Sequence, residues 1–158
     1  MKPSNTAPGA ATKLSDMSEI LHLRIGTGRF AARLRRDLAP RSCEQLMDLL
    51  PYAGKLIHAR WSGEALWAPL AAVFTPELVL PRESAIAEPA PGQLLLYAGE
   101  RSVPELYIPY GTNRFACKAG PLQGNPVLSI ETGLDRLAAL GDDVLWKGAT
   151  ELHIEVSP

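Results

Sequence analysis

Cysteine is scarce in this 158-residue chain, which carries only Cys43 and Cys117. No Cys-x-x-Cys pair exists, and two distant thiols in a cytoplasmic protein are expected to stay reduced. Histidine is scarce too. His22, His58 and His153 lie on separate segments without ligand spacing, so neither a metal site nor a cofactor is expected. Excess charge is also missing. The 16 Lys+Arg against 17 Asp+Glu leave a net −1, without the basic footprint of a nucleic-acid binder. No apolar run approaches the ~18–20 residues of a membrane span. Residues 1–16 lack the apolar stretch of a signal peptide and read as a flexible leader, with the cytoplasm as the expected compartment.

Glycine and proline, by contrast, are abundant at 13 and 14 residues. Together they exceed the usual total near 12%. Many turns and few long helices follow. At 17.1 kDa, folding removes about 70% of the unfolded chain's surface from water, so residues 17–158 can form one domain with its own core.

Period-two alternation marks the first strands. Leu21, Leu23 and Ile25 face one way, with His22 and Arg24 opposite. Gly26-Thr27-Gly28 turns the chain, and Phe30, Ala32 and Leu34 then point inward against outward Arg29, Ala31, Arg33 and Arg35, which predicts an antiparallel hairpin. The outward arginines read as a solvated sheet face. The last strand, Glu151 to Val156, carries its glutamates outward, which suggests that it neighbours this hairpin.

Helical spacing appears twice. Ser42 and Gln45 resemble a capping box ahead of Leu46, Leu49 and Leu50, with Pro51 as the stop. Thr132 and Asp135 form the cap signature of a second helix with Leu134, Leu137, Ala138 and Leu140 on its apolar face, and Gly141 is the expected end. Further strands are expected over 55–61, 64–68, 93–98, 105–110, 114–118 and 127–131. A proline-rich loop from Pro69 to Pro91 separates two of them. Two helices are too few to serve as crossovers for a parallel sheet, so the sheet is antiparallel. About eight short strands favour a closed barrel, which removes unpaired edges. The expected fold class is mainly β, a closed barrel with two α-helices.

Three stretches hold candidate functional residues. In the first, Arg60, Trp61 and Glu64 flank a Ser62-Gly63 break, where a guanidinium fork, an indole wall and open backbone N–H groups could meet a ligand. The second holds Tyr107, Tyr110, Arg114 and Phe115 around Gly111, with tyrosines suited to a pocket lip. Third is Glu83, a loop carboxylate between Arg82 and Ser84 that could act as a general base. Ser62 lacks a Gly-x-Ser-x-Gly context, and Cys117 lacks a visible activating base.

The order of elements, together with Ala39-Pro40-Arg41-Ser42-Cys43, Leu50-Pro51, Ala59-Arg60-Trp61-Ser62-Gly63-Glu64-Ala65-Leu66-Trp67, Pro91-Gly92-Gln93, Tyr110-Gly111 and Gly124-Asn125, resembles a bacterial cyclophilin-like family of unassigned function. The resemblance runs from about residue 18 to 156 and implies a cyclophilin-like barrel. Cyclophilin prolyl isomerases carry a Phe-His-Arg stretch, loosely echoed by Ile57-His58-Ala59-Arg60. Their Phe-Met-x-Gln-Gly-Gly-Asp run is missing, and Arg114 puts charge where they keep an apolar proline pocket. The leading expectation is therefore a protein that binds a small polar metabolite, a carboxylate or an amide. Arg60 and Arg114 would hold it, and Trp61, Tyr107, Tyr110 and Phe115 would wall it. The alternatives are a divergent prolyl isomerase, with Arg60 stabilising the twisted amide, and a hydrolase or accessory subunit in cyclic-amide metabolism. The expected partner is a small molecule, with no nucleic acid and no membrane; a homo-oligomer is left open.

Overall fold

The computed structural model describes residues 19–74 and 80–157. The leader expected over residues 1–16 lies outside them. Among the described residues ten strands and two helices follow in order: β1 (Ile20–Ile25), β2 (Gly28–Leu34), α1 (Pro40–Asp48), β3 (Tyr52–His58), β4 (Gly63–Pro69), β5 (Gln93–Tyr97), β6 (Glu105–Asn113), β7 (Ala116–Cys117), β8 (Gly120–Pro121), β9 (Asn125–Thr132), α2 (Leu134–Lys147) and β10 (Thr150–Glu155). Eight strands close a barrel in the order β1-β10-β3-β4-β6-β5-β9-β2, and β7-β8 form a small separate ribbon. Every barrel pairing is antiparallel. The mainly β, closed eight-strand barrel with two helices read from the sequence is thus the fold observed.

Alternation explains the core. Leu21, Leu23, Ile25, Phe30, Ala32, Leu34, Leu152 and Ile154 are all buried, and their neighbours in sequence face outward. The final strand does adjoin the hairpin, through β1: His22 faces Glu155 and Arg24 faces His153. On its other side β1 pairs with β2, placing Arg24 directly opposite Arg29.

Element ends depart from the sequence pattern where packing overrides local signals. Helix α1 begins at Pro40, with Ala39 at the N-cap and no side-chain cap of its own, so Ser42 lies inside the first turn rather than before it. Proline at the first turn is tolerated because its absent N–H would have no helical partner there. Helix α2 does not stop at Gly141 but continues to Lys147, and its N-cap is Gly133 at φ 92°, not Thr132. Gly141 persists mid-helix because the Tyr110 ring occupies the space that a Cβ would need. Strand β3 starts at Tyr52 and ends at His58, leaving Arg60 and Trp61 in the turn to β4. Of the strand expected over 114–118, only Ala116–Cys117 pairs. The described part of the long loop holds one isolated bridge, Ile86 to Gly124.

Candidate functional site: an arginine-rimmed cleft

On the outer wall of the barrel a second apolar cluster forms from Ala65, Leu95, Tyr97, Tyr107, Phe115 and Leu122. It arises because β4, β5 and β6 carry apolar residues on both faces, as buried strands do. Phe115 is its centre. Its ring lies 4.5 Å from that of Tyr107 and 5.5 Å from that of Tyr97, the latter edge-to-face. Tyr97 and Leu122 continue from this cluster into the wall of a cavity of about 700 Å³. Phe74, Leu80, Ala87 and Leu96 add apolar surface, while Arg82, Glu100, Arg101 and Arg114 line its polar parts. A volume of this size with an apolar wall and a few charged groups is typical of a small-molecule site.

The three arginines are committed to different degrees. Arg101 donates from Nη1 to Pro121 O (3.1 Å) and from Nη2 to Ala119 O (3.0 Å), tying the β5–β6 loop to the β7–β8 ribbon. That loop is itself held where the N–H groups of Glu100 and Arg101 donate to the Tyr97 hydroxyl. Arg82 donates Nη1 to Gln123 Oε1 (3.1 Å) and sits 3.9 Å from Glu100. Among the described residues Arg114 has only a long 3.8 Å contact, from Nε to Glu88, so most of its donors face no partner there.

The backbone beneath Arg114 is firmly placed. Its own N–H donates to Ser62 O, that of Phe115 to Ala87 O, and that of Ala116 to Ser62 Oγ. Ser62 Oγ in turn donates to Ala116 O. The Ser62-Gly63 break makes this possible. Gly63 has φ 83°, and a Cβ there would come within 2.7 Å of Thr112 O. Around it the ladder slips: Ala65 pairs with Pro109 and Gly63 with Asn113, so β6 covers four residues where β4 covers two.

The opposite rim is anchored by a polar network. Glu83 accepts from the N–H groups of Arg41 (3.1 Å) and Ser42 (2.8 Å) and from Ser42 Oγ (2.8 Å). Its carboxylate therefore caps α1, supplying from a distant loop what the helix lacks locally. Asn125 accepts the Glu83 N–H and donates to Ser42 Oγ and Pro81 O. Asn125 also lines the cavity, so this network sets the position of the 81–84 stretch and with it Arg82.

The candidates named from sequence fall into three places. Arg114 lines the cavity, with Phe115 and Tyr107 packed behind its wall. Tyr107 donates to Asn113 Oδ1 (2.9 Å), and burial pushes its phenol well above the ordinary value. Glu83 is engaged at the N-terminus of α1. Arg60, Trp61, Glu64 and Tyr110 belong to the β3–β4 turn and the adjoining end of β6. Arg60 and Trp61 are exposed there, and Glu64 accepts the Thr112 N–H at 2.9 Å. His58 and Tyr110 form a pair at this end. The Ala59 carbonyl can only accept, so Nδ1–H donates to it (2.8 Å), and in the neutral ring Nε2 accepts from the Tyr110 hydroxyl (2.7 Å). Burial raises the Tyr110 pKa, and Glu64 and Asp142 add to the shift.

Arg82, Glu100, Arg101 and Tyr97 were not singled out from the sequence, apart from Arg82 as the neighbour of Glu83. They reach the cavity from a loop and a turn whose long-range contacts leave no local pattern. Among the described residues no three His, Cys, Asp or Glu side chains gather as a metal group, and no helix is long and apolar enough to cross a membrane. Cys43 and Cys117 are both free; Cys43 is buried, and burial pushes its thiol up to about 12.

The fold is thus a closed antiparallel barrel with a charged, apolar-walled cleft outside its wall. The chain belongs to a family described as "Protein of unknown function (DUF3830)", whose model matches residues 21–156. Among solved structures it is similar to McbB, determined in complex with tryptophan. The TM-score is 0.64 at 21% identity, over 87% of this chain and 44% of that one. It is also similar to the hypothetical protein AF2241 from Archaeoglobus fulgidus, with TM-score 0.56 at 12% identity over 88% of this chain and 95% of that one. The chain thus spans less than half the length of the McbB chain. At these identities the likeness is one of fold. No curated protein matches the sequence.

Proposed function

We propose that this chain is a cytoplasmic cyclophilin-like barrel that binds a small metabolite carrying a carboxylate or amide on an apolar body. The observation that carries the reading is the open guanidinium fork of Arg114 beside a cavity of about 700 Å³ with an apolar wall. A carboxylate satisfies such a fork with two parallel charge-assisted bonds, and the apolar body takes the wall of Tyr97, Leu96 and Leu122. McbB, a structural neighbour, was solved with tryptophan, a molecule that joins a carboxylate to an apolar ring. The prolyl-isomerase reading asks for an open apolar pocket at Phe115. That ring is 1% exposed and packed between two tyrosines, which favours the metabolite reading.

Calorimetric titration with tryptophan, indole-3-propionate and tryptamine tests the proposal. The two acids should bind and tryptamine should not. Arg114→Ala should weaken the acids by about tenfold or more, the value of a lost charged hydrogen bond. Failure of a wider panel of carboxylates and amides to bind the wild type would remove the proposal. In a protease-coupled proline-peptide assay we expect no acceleration; a rate abolished by Arg60→Ala would replace this reading with the isomerase one.

A further inference from the structure

The outer face of β1, β2 and β10 carries two arginines, Arg24 and Arg29, paired directly across the ladder and without a counter-ion among the described residues. Register places Arg29, Arg24 and His153 side by side across the three strands, with His22 and Glu155 paired two residues along β1 and β10. The other outward arginine within β2, Arg33, has a carboxylate at 2.7 Å in Glu131, and Arg35, just past the strand, has one at 2.7 Å in Asp37. Just beyond β2, Arg36 pairs with Glu19 at 2.8 Å. The guanidinium groups of Arg24 and Arg29 make no hydrogen bond or ion pair among the described residues. His153 has one long contact, 3.4 Å to Glu151.

Like charges directly opposite on a ladder destabilise the pairing. A carboxylate on β10 in place of His153 would have relieved Arg24, yet the glutamates of that strand stand at 151 and 155. The two unrelieved arginines border a concavity of about 200 Å³ lined also by His22, His153, Glu155, Leu23 and Phe30. Arg29 is further fixed from α2, where Arg136 Nη2 donates to its carbonyl at 2.7 Å.

We propose that this face is a second binding site, for a phosphoryl group, free or esterified. Two adjacent guanidinium forks match the tetrahedral oxygens of a dianion better than those of a single carboxylate, and the imidazoles of His22 and His153 add donors at the edge. The concavity takes a phosphoryl head and leaves the rest of an esterified ligand in solvent. Glu155 at its border disfavours anions that press to that side. This site is separate in the fold from the arginine-rimmed cleft, and neither depends on the other.

Its test joins binding to stability. Inorganic phosphate and glycerol phosphate are titrated while the ring protons of His22 and His153 are followed by NMR at constant ionic strength. Both ligands should shift these signals in the wild type, with glycerol phosphate the tighter if the ester is the natural form. Arg24→Gln and Arg29→Gln should weaken binding by about tenfold, while Arg33→Gln should leave it unchanged. Without ligand, Arg24→Gln should unfold at a higher temperature than wild type, because the substitution relieves the cross-strand repulsion. Loss of binding together with a gain in stability identifies a site maintained against the fold's own preference. Equal shifts in the Arg33→Gln and Arg24→Gln proteins, or a lower melting temperature for Arg24→Gln without ligand, would overturn the proposal.

Discussion

Glu105 is a carboxylate held in the outer apolar layer. It is 7% exposed at the start of β6, and the register sets it opposite Tyr97 and Pro69. Burial pushes its pKa up to about 8 from 4.5. A raised folded-state pKa means that folding takes up a proton. The contribution is therefore complete below the unfolded value and is lost as pH rises through about 8. Glu105→Gln should match the wild type near pH 5 and exceed it at pH 9 by on the order of a few kcal/mol. Urea unfolding at pH 5, 7 and 9 measures this, and parallel pH profiles for the two proteins would refute it. Glu83 makes a different point at the same scale. Its residue type was legible as a loop carboxylate, but its partners were not, because Arg41 and Ser42 lie 42 and 41 positions away. Glu83→Ala should destabilise the protein by about 1–2 kcal/mol, as the loss of a helix cap does. An unchanged unfolding midpoint would show that water replaces the cap.

At the level of elements, alternation made β1, β2 and β10 readable, since one face of each is buried and the other wet. The strands beside the cleft were harder to place. β5 and β6 are buried on both sides, so the period-two signal that marks an inward face fades there. Helix ends failed for a related reason. The sequence near Ser42 and Gly141 contains genuine cap and stop signals, yet tertiary neighbours, Glu83 in one case and Tyr110 in the other, decide their use. Gly141 tests this directly. In an isolated helix, alanine would be favoured over glycine by about 1 kcal/mol. Here the added methyl meets the Tyr110 ring, so Gly141→Ala should lower the melting temperature despite its better helix propensity. It should also disturb the His58–Tyr110 hydrogen bond, visible as a change in the His58 ring signals. A rise in melting temperature would show that the ring yields freely.

For the molecule as a whole, closure of the barrel leaves the cleft to be built from what crosses its outer wall: the 80–91 stretch, the β5–β6 loop and the β7–β8 ribbon. The sequence grouped Arg114 with the tyrosines around Gly111, at the start of an expected strand. It did not bring Arg82 and Arg101 to the same place, since only the closed topology makes those segments neighbours. Arg101→Ala, which frees the ribbon from the β5–β6 loop, should loosen the cleft with little effect on the barrel. Acid affinity should fall several-fold while the unfolding midpoint moves by less than about 0.5 kcal/mol, as for most surface changes. A large stability loss would make the ribbon part of the folding core instead. The Glu83–Ser42–Asn125 network has a kinetic meaning as well. It joins the first turn of α1, the 81–84 stretch and the start of β9 through shared donors and acceptors. Segments so linked open together, as one cooperative unit. The amide protons of Ser42 and Glu83 should then exchange with deuterium at a common rate, and a ligand in the cleft should slow both alike, although one of them sits on a helix outside the cavity.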